Sequence, residues 1–366
     1  MVVDPGELEV GERQAAKPAH GLVGVAVTLG DVDEELVQEE LVHLGSLSCP
    51  GMSAAATPPP SVAFLGPLGT FTEEALLTQE DYAAAALTPM DTIGDVLEAV
   101  GSGTVDLGFV PIENAIDGMV RDTLDALIFD FDLLIQREVV LDVRLHLMAS
   151  PGTSLRDVRR VVSYPVALAQ CRRFFAEQLP DVEAIAAKST ADAARQLGEQ
   201  PDRHAAAIAP RLAADLYGLV ILAEDVEDFA DNQTRFVAVG PEGIPPPTGH
   251  DRTSIVCFQD ADRPGSLHGI LGQFAARSIN LTRLESRPTK RGLGEYCFAI
   301  DLAGHIAHEV VADCLRDLRA NLADVKFLGS YPAGGRQALR RREEADEAWR
   351  RADAWLAALR SQIRPA

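Results

Sequence analysis

Three short stretches of this 366-residue chain bring acid, amide, hydroxyl and guanidinium groups to the ends of apolar runs. In Gly108-Phe-Val110-Pro111-Ile112-Glu113-Asn114-Ala115, Pro111 directly follows an apolar run, so the strand is expected to end there and Glu113 and Asn114 to fall in the loop at its carboxyl end. There Glu113 could take or give a proton and Asn114 offers both donor and acceptor, although a helix cap by Asn114 accounts for it equally well. Asn232-Gln233-Thr234-Arg235-Phe236 gathers a hydroxyl, a guanidinium and an aromatic ring at the start of a strand. Arginine grips a carboxylate with two parallel hydrogen bonds and threonine can reach a neighbouring oxygen; a surface arginine beside a strand is the plainer account. In Phe64-Leu65-Gly66-Pro67-Leu68-Gly69-Thr70-Phe71-Thr72, two glycines permit a sharp turn and Thr70 or Thr72 caps the next helix. The exposed N–H groups there favour an anion. Its spacing is neither G-x-G-x-x-G nor a P-loop, and an ordinary strand-to-helix turn would look the same.

Other chemistries are poorly served. His305 and His308 stand three apart, in neither zinc-protease pattern, and read as capping or surface residues. No serine sits in G-x-S-x-G. The cysteines, Cys49, Cys171, Cys257, Cys297 and Cys314, are odd in number and unpaired in spacing, which suits a reducing, cytoplasmic compartment. The formal charge of −22 disfavours nucleic acid and anionic membrane surfaces as partners. No apolar run approaches the roughly 20 residues that span a bilayer, and the first residues lack a basic signal-peptide region.

These groups need elements to hold them. Residues 1–57 are acidic and end in Thr57-Pro58-Pro59-Pro60, so a disordered extension is expected, with Met52 a candidate start. From Ser61 to 240, apolar runs alternate with helical stretches, which argues for an α/β domain of parallel βαβ units. Strands are expected at 61–65, 107–110, 139–148, 160–163, 205–208 and 236–239, and helices at 72–80, 92–101, 166–178 and 190–199. Residues 241–251 hold four prolines within seven positions and form a linker. Residues 252–332 read β-α-β-β-α-β, the ferredoxin-like unit. From Gly335 to 366 the tail is helical and Arg-rich, with Trp349, Ala352, Leu356 and Leu359 on one face.

In this order, the glycine loop, Val110-Pro-Ile-Glu113-Asn114, Ser163-Tyr-Pro165 with Gln170-Cys171, and Asn232 to Phe236 resemble the prephenate dehydratases. The ferredoxin-like unit is similar to the ACT domain that follows in that family, through Arg263-Pro264-Gly265-Ser266-Leu267 and Leu284-Glu285-Ser286-Arg287-Pro288. The likeness spans about residues 61–332; Ala115, Met119, Tyr164, Val166 and Ser266 depart from the common pattern. It implies a two-lobed, periplasmic-binding-protein-like α/β catalytic domain followed by the ACT domain. It also implies decarboxylating dehydration of prephenate to phenylpyruvate, in phenylalanine synthesis, with no metal or organic cofactor. Implied roles are Arg235, with N–H groups near Gly69 and Thr70, on the substrate carboxylates, and Thr234 on the departing hydroxyl. Glu113 would be the proton source, Asn114, Ser163 and Gln170 would orient the substrate, and Phe236 would wall the pocket. Phenylalanine would bind at Gly265, Ser266, Leu267, Asn280, Leu281, Glu285, Ser286, Arg287 and Pro288, at the interface of a homodimer or homotetramer. Since the assigned catalytic side chains precede the linker, some activity is expected without the ACT unit. Arogenate as substrate, or a non-catalytic amino-acid sensor on the same scaffold, are the alternatives.

Overall fold

The structure, a computed structural model, describes residues 60–259, 264–292, 294–321, 323–335, 351 and 354–362. The acidic extension, Arg263, Trp349 and Ala352 lie outside the described residues. The first lobe runs β1 (Ser61–Leu65), α1 (Phe71–Leu77), α2 (Glu80–Ala83), β2 (Ala86–Met90), α3 (Ile93–Gly101), β3 (Leu107–Asn114), β4 (Gly118–Met119), α4 (Arg121–Asp125), a π turn (Ala126–Asp130) and β5 (Leu134–Asp142). The chain then crosses to a second lobe: β6 (His146–Ala149), β7 (Arg160–Ser163), α5 (Pro165–Ala169), α6 (Arg172–Gln178), β8 (Glu183–Ala186), α7 (Thr190–Glu199), β9 (Ala205–Ala209), α8 (Arg211–Tyr217) and β10 (Val220–Ala223). It returns as β11 (Gln233–Gly240) and continues into β12 (Asp251–Gln259), α9 (Ser266–Ala276), β13 (Leu281–Pro288), β14 (Tyr296–Ala303), α10 (Glu309–Asn321) and β15 (Ala323–Pro332).

Three sheets result, ordered β2-β1-β3-β11-β5 with β4 on β3, β10-β6-β9-β7-β8, and β13-β14-β12-β15. The expected parallel pairing holds for β1 with β2 and β3, and for β7 with β8 and β9. The returning strand β11 is antiparallel to both neighbours, so the first sheet is mixed. Three expectations are corrected, the first being the helix at 166–178, which is two helices, α5 and α6, parted at Gln170 and Cys171. The 139–148 run is two strands in different lobes, because the chain crosses over between Asp142 and His146. Strand β3 does not stop at Pro111 but runs on through Asn114. The missing donor is tolerated because the register with β11 shifts at Arg235/Phe236, opposite the proline.

Apolar packing joins the first sheet to the last one. Val110, Ile112, Leu127 and Ile135 share one buried cluster with Val256, Ala299, Leu328 and Tyr331. Strand β15 approaches β5 so closely that a Cβ on Gly329, at φ +142°, would collide with the Ile135 carbonyl oxygen. The other face of the last sheet packs Ile255, Ile300 and Leu302 against Ile270, Phe274, Val311 and Leu318 of α9 and α10. Of the tail's apolar stripe, Leu356 and Leu359 are described and exposed.

Candidate active site

A cleft of about 950 Å³ lies between the two lobes. It is lined by the segments that follow β1, β7 and β8, which is where parallel α/β sheets collect ligands. Asn232 and Thr234, at the return into β11, line it together with Val143 and Leu145, at the opposite crossing. The two crossings are tied by the Val143 N–H, which donates to the Asn232 carbonyl at 2.8 Å.

One string of polar side chains runs through the cleft. Thr234 stands opposite Asn114 in the β11–β3 pairing. Asn114 Nδ2 donates to Thr234 Oγ1 at 2.8 Å and lies 2.9 Å from Asn232 Oδ1. Asn232 Nδ2 donates to Gln170 Oε1 at 2.9 Å, and Gln170 Nε2 donates to Asp117 Oδ2 at 3.2 Å. Asn114 Oδ1 accepts the N–H groups of Ile116 and Asp117 at 2.9 and 3.0 Å, which fixes the turn bearing Asp117. Because Thr234 Oγ1 already accepts from an amide, its own proton is left to donate toward whatever occupies the cleft.

The walls combine apolar and charged groups. Phe71, Ile93, Val166 and Phe236 line the cleft, and Phe236 stacks on Phe109 with ring centroids 5.6 Å apart. Arg195 also lines it but is paired with Asp192 and Glu199 at 2.7 and 2.8 Å. Lys188 is the lining cation without an ion pair among the described residues. Desolvation raises the pKa of Asp117 above the ordinary aspartate value.

The structure thus brings Thr234, Asn114, Gln170, Thr70 and Phe236 to the cleft, and leaves four other expected residues away from it. Arg235, next to Thr234 on a strand, points to the opposite face of the sheet, as alternation requires. It is 6% exposed and meets Asp301 at 2.9 Å and Glu138 at 3.3 Å, so it cannot grip a substrate carboxylate from there. Glu113 is its cross-strand partner on that same far face, with Oε2 3.1 Å from Arg235 Nε. Ser163 is fully buried and its hydroxyl donates to the Ile208 carbonyl at 2.6 Å, tying β7 to β9. The N–H of Gly69 is taken by Glu73. Gly69 serves close approach instead: at φ +83°, its Cβ position lies 3.2 Å from Ala213 and Tyr217 of α8. Asn232, 1% exposed and quoted only as part of a motif, Asp117 and Lys188 are lining residues to which sequence reasoning assigned no role. A buried amide beside a motif threonine was visible as a type but not as a contact.

In the last sheet, Gly265 opens α9 at φ +89°, Ser266 Oγ donates to Gln259 Oε1 at 3.1 Å, and Leu267 and Leu281 pack on the helix-side core. The Asn280 carbonyl accepts the Ala303 N–H at 2.8 Å. On β13 exposure alternates strictly: Leu284, Ser286 and Pro288 are exposed, while Arg283, Glu285 and Arg287 are partly covered. Arg287 Nε meets Asp125 Oδ1 of the first lobe at 3.0 Å, so its guanidinium is not on the face shared by Gly265 and Ser286.

No helix among the described residues is long and apolar enough to cross a membrane, and none of their His, Cys, Asp and Glu side chains group as a metal site. Residues 62–243 match the family model for prephenate dehydratase and residues 253–320 that for the ACT domain. A prephenate dehydratase of Mycolicibacterium vanbaalenii is 46% identical over 289 residues, which cover 75% of this chain and 92% of the relative. The crystal structure of the Arthrobacter aurescens prephenate dehydratase in complex with L-Phe aligns with a TM-score of 0.70 at 38% identity, covering 82% of this chain and 99% of that one. A structure described as GqqA, a novel type of quorum quenching acylase, aligns with a TM-score of 0.68 at 32% identity, over 75% of this chain and 98% of that one.

Proposed function

The chain belongs to the prephenate dehydratase family, with a dehydratase domain followed by an ACT domain, and from this we propose how its cleft performs the reaction and how phenylalanine regulates it. Prephenate is a dianion that loses its ring carboxylate as carbon dioxide and its ring hydroxyl as hydroxide, leaving the phenylpyruvate anion. One proton supplied to the departing hydroxide lets it leave as water, and the charge then falls from two on prephenate to one on phenylpyruvate. Aromatisation drives the step, so the protein must hold the ring, polarise the hydroxyl and keep water from the departing carboxylate.

The observation that carries this reading is the string Thr234–Asn114–Asn232–Gln170–Asp117, which joins both lobes inside the cleft. Thr234 donates a hydrogen bond to the leaving hydroxyl, with Asn114 holding its oxygen. A threonine hydroxyl is too weak an acid to give that proton up alone. Asp117, not Glu113, is the acid that gives its proton across the cleft directly to the departing hydroxide, since Asp117 lines the cleft and a bound dianion raises its pKa further. Lys188 and the segment around Thr70 hold the side-chain carboxylate. The ring carboxylate lies against Phe71 and Phe236, where weak hydration favours its loss as neutral carbon dioxide.

The acylase function of one structural neighbour finds less support in this cleft. Amide hydrolysis needs an activated nucleophile or base, and no histidine or cysteine is among the cleft's described lining residues. Cys171, beside Gln170, is buried and its thiol is pushed up to about 12 by that burial.

The L-Phe in the A. aurescens structure supports phenylalanine as the effector here. Gly265, Ser266, Asn280 and the exposed face of β13 form its site, completed by a second copy in a homodimer or homotetramer of a cytoplasmic enzyme. Incubating the purified chain separately with prephenate and with arogenate, and following phenylpyruvate and phenylalanine as products, tests the reading. Phenylpyruvate from prephenate is expected. Turnover of arogenate alone would reassign the substrate, and turnover of neither would favour a sensor.

A further inference from the structure

Arg235 adjoins the threonine assigned to the leaving group, yet its guanidinium lies in a buried ionic cluster that the second domain completes. Asp301, in β14 and 0% exposed, receives Arg235 Nη1 at 2.9 Å and is gripped by Arg283 of β13 through two bonds of 2.8 Å each. Ser254 Oγ adds a third donor to Asp301 at 2.6 Å. Glu138 bridges Arg235 and Arg252 at 3.3 and 2.7 Å. With Glu113, the cluster holds three cations and three anions.

Burying such a group brings little net stability over apolar packing, because each charge loses its hydration. What it fixes is position: no member can move without unpairing another. Thr234 and Arg235 share one stretch of backbone, so the anchor of one sets the place of the other. A second path starts at the same arginine. Arg283 Nη1 lies 3.6 Å from the Met119 thioether, Met119 pairs with Glu113 across β4 and β3, and Asn114, the next residue, holds the Thr234 hydroxyl. Met119 is one of the positions that departs from the family pattern. Arg283 stands two residues before Glu285 on the strand that ends at Pro288, and Arg287 further along it is bound to Asp125.

We propose that Arg235 is a positioning residue for Thr234, and that its anchor in Asp301 and Arg283 makes β13 the element through which an effector on that strand alters turnover. The proposal rests on the dehydratase and phenylalanine readings above. The first lobe and the ACT sheet share one core and so have a rigid link here, and a bidentate arginine is suited to transmit a small strand shift to one side chain.

The test uses the whole chain and the double variant Arg283→Met with Asp301→Asn, which removes one charge of each sign and so leaves no net buried charge. Phenylalanine binding is measured by calorimetry, and prephenate turnover with and without phenylalanine by phenylpyruvate formation. The double variant should bind phenylalanine within about threefold of the parent affinity while its turnover no longer responds, and its kcat should fall about tenfold with KM little changed. Arg283→Lys, which keeps the charge but not the two-pronged grip, should restore part of both; it also serves as the readout should the double variant not fold. A parent-like response and kcat in Arg283→Lys and the double variant would overturn the proposal. Failure of the parent chain to bind phenylalanine would overturn the effector reading and the coupling with it, and the binding measurement tells that failure from the first.

Discussion

At the scale of single residues, chemistry depends on which face of a strand a side chain occupies. Thr234 and Arg235 are neighbours in sequence and lie on opposite sides of the sheet, one lining the cleft and the other in the ionic cluster behind it. The period of two in any strand carried that information, and a motif that treats adjacent residues as one unit overlooks it. The same alternation separates Asn114 from Glu113, once β3 is seen to continue past Pro111. Asp117 emerged only from structure, because a turn fixed by Asn114 brings it to Gln170, 53 positions away in sequence. Replacing it tests the acid role. Asp117→Asn keeps the volume and the contact with Gln170 but has no proton to give, so kcat should fall by about 10² or more, with KM unchanged or lower as repulsion of the dianion is relieved. Activity within about twofold of the parent would remove Asp117 from the mechanism.

At the scale of elements, most strands and helices were legible because apolar periodicity and caps agree: Thr92 caps α3 through a capping box with Asp95, and Ser189 caps α7. The breaks were less so. An apolar run reads alike whether it stays in one sheet or crosses to another, so β5 and β6 appeared as one strand. The joint between β11 and β14 has its own signature. Burial alone would raise the pKa of Asp301, but the Arg283 and Arg235 charges outweigh it and hold the carboxyl well below the usual aspartate range. A depressed native pKa contributes stability that is fully present above the unfolded value of about 3.9 and is lost as pH falls below it. The melting temperatures of the parent and Asp301→Asn should therefore differ by a constant amount from neutral pH to about 5 and converge only below about 4. Convergence near neutrality would mean that the carboxylate is not held as an anion by its two arginines.

At the scale of the whole molecule, the arrangement departs from the picture of a catalytic domain with a detachable regulator. Placing all catalytic side chains before the linker suggested that removal of everything after Gly240 would leave an active remainder. The shared core argues otherwise. Without Val256, Ala299, Leu328 and Tyr331, Ile135 and Leu127 would face water, and Arg235 would lose Asp301. Each Å² of apolar surface left facing water costs about 25 cal/mol, so a few such side chains remove a large part of the usual stability of a domain. Residues 60–240 alone should be insoluble or melt well below the full chain, measured by calorimetry; a remainder with the parent's melting temperature would show that the two domains are independent. The role proposed for Thr234, a hydroxyl held against the leaving group, draws on all of these scales. Steady-state kinetics of the full chain and Thr234→Ala on prephenate test that most directly. The hydroxyl contact should strengthen as the carbon–oxygen bond breaks, so kcat should fall by about 10²-fold or more while KM stays within about threefold. A rise in KM at unchanged kcat would contradict it.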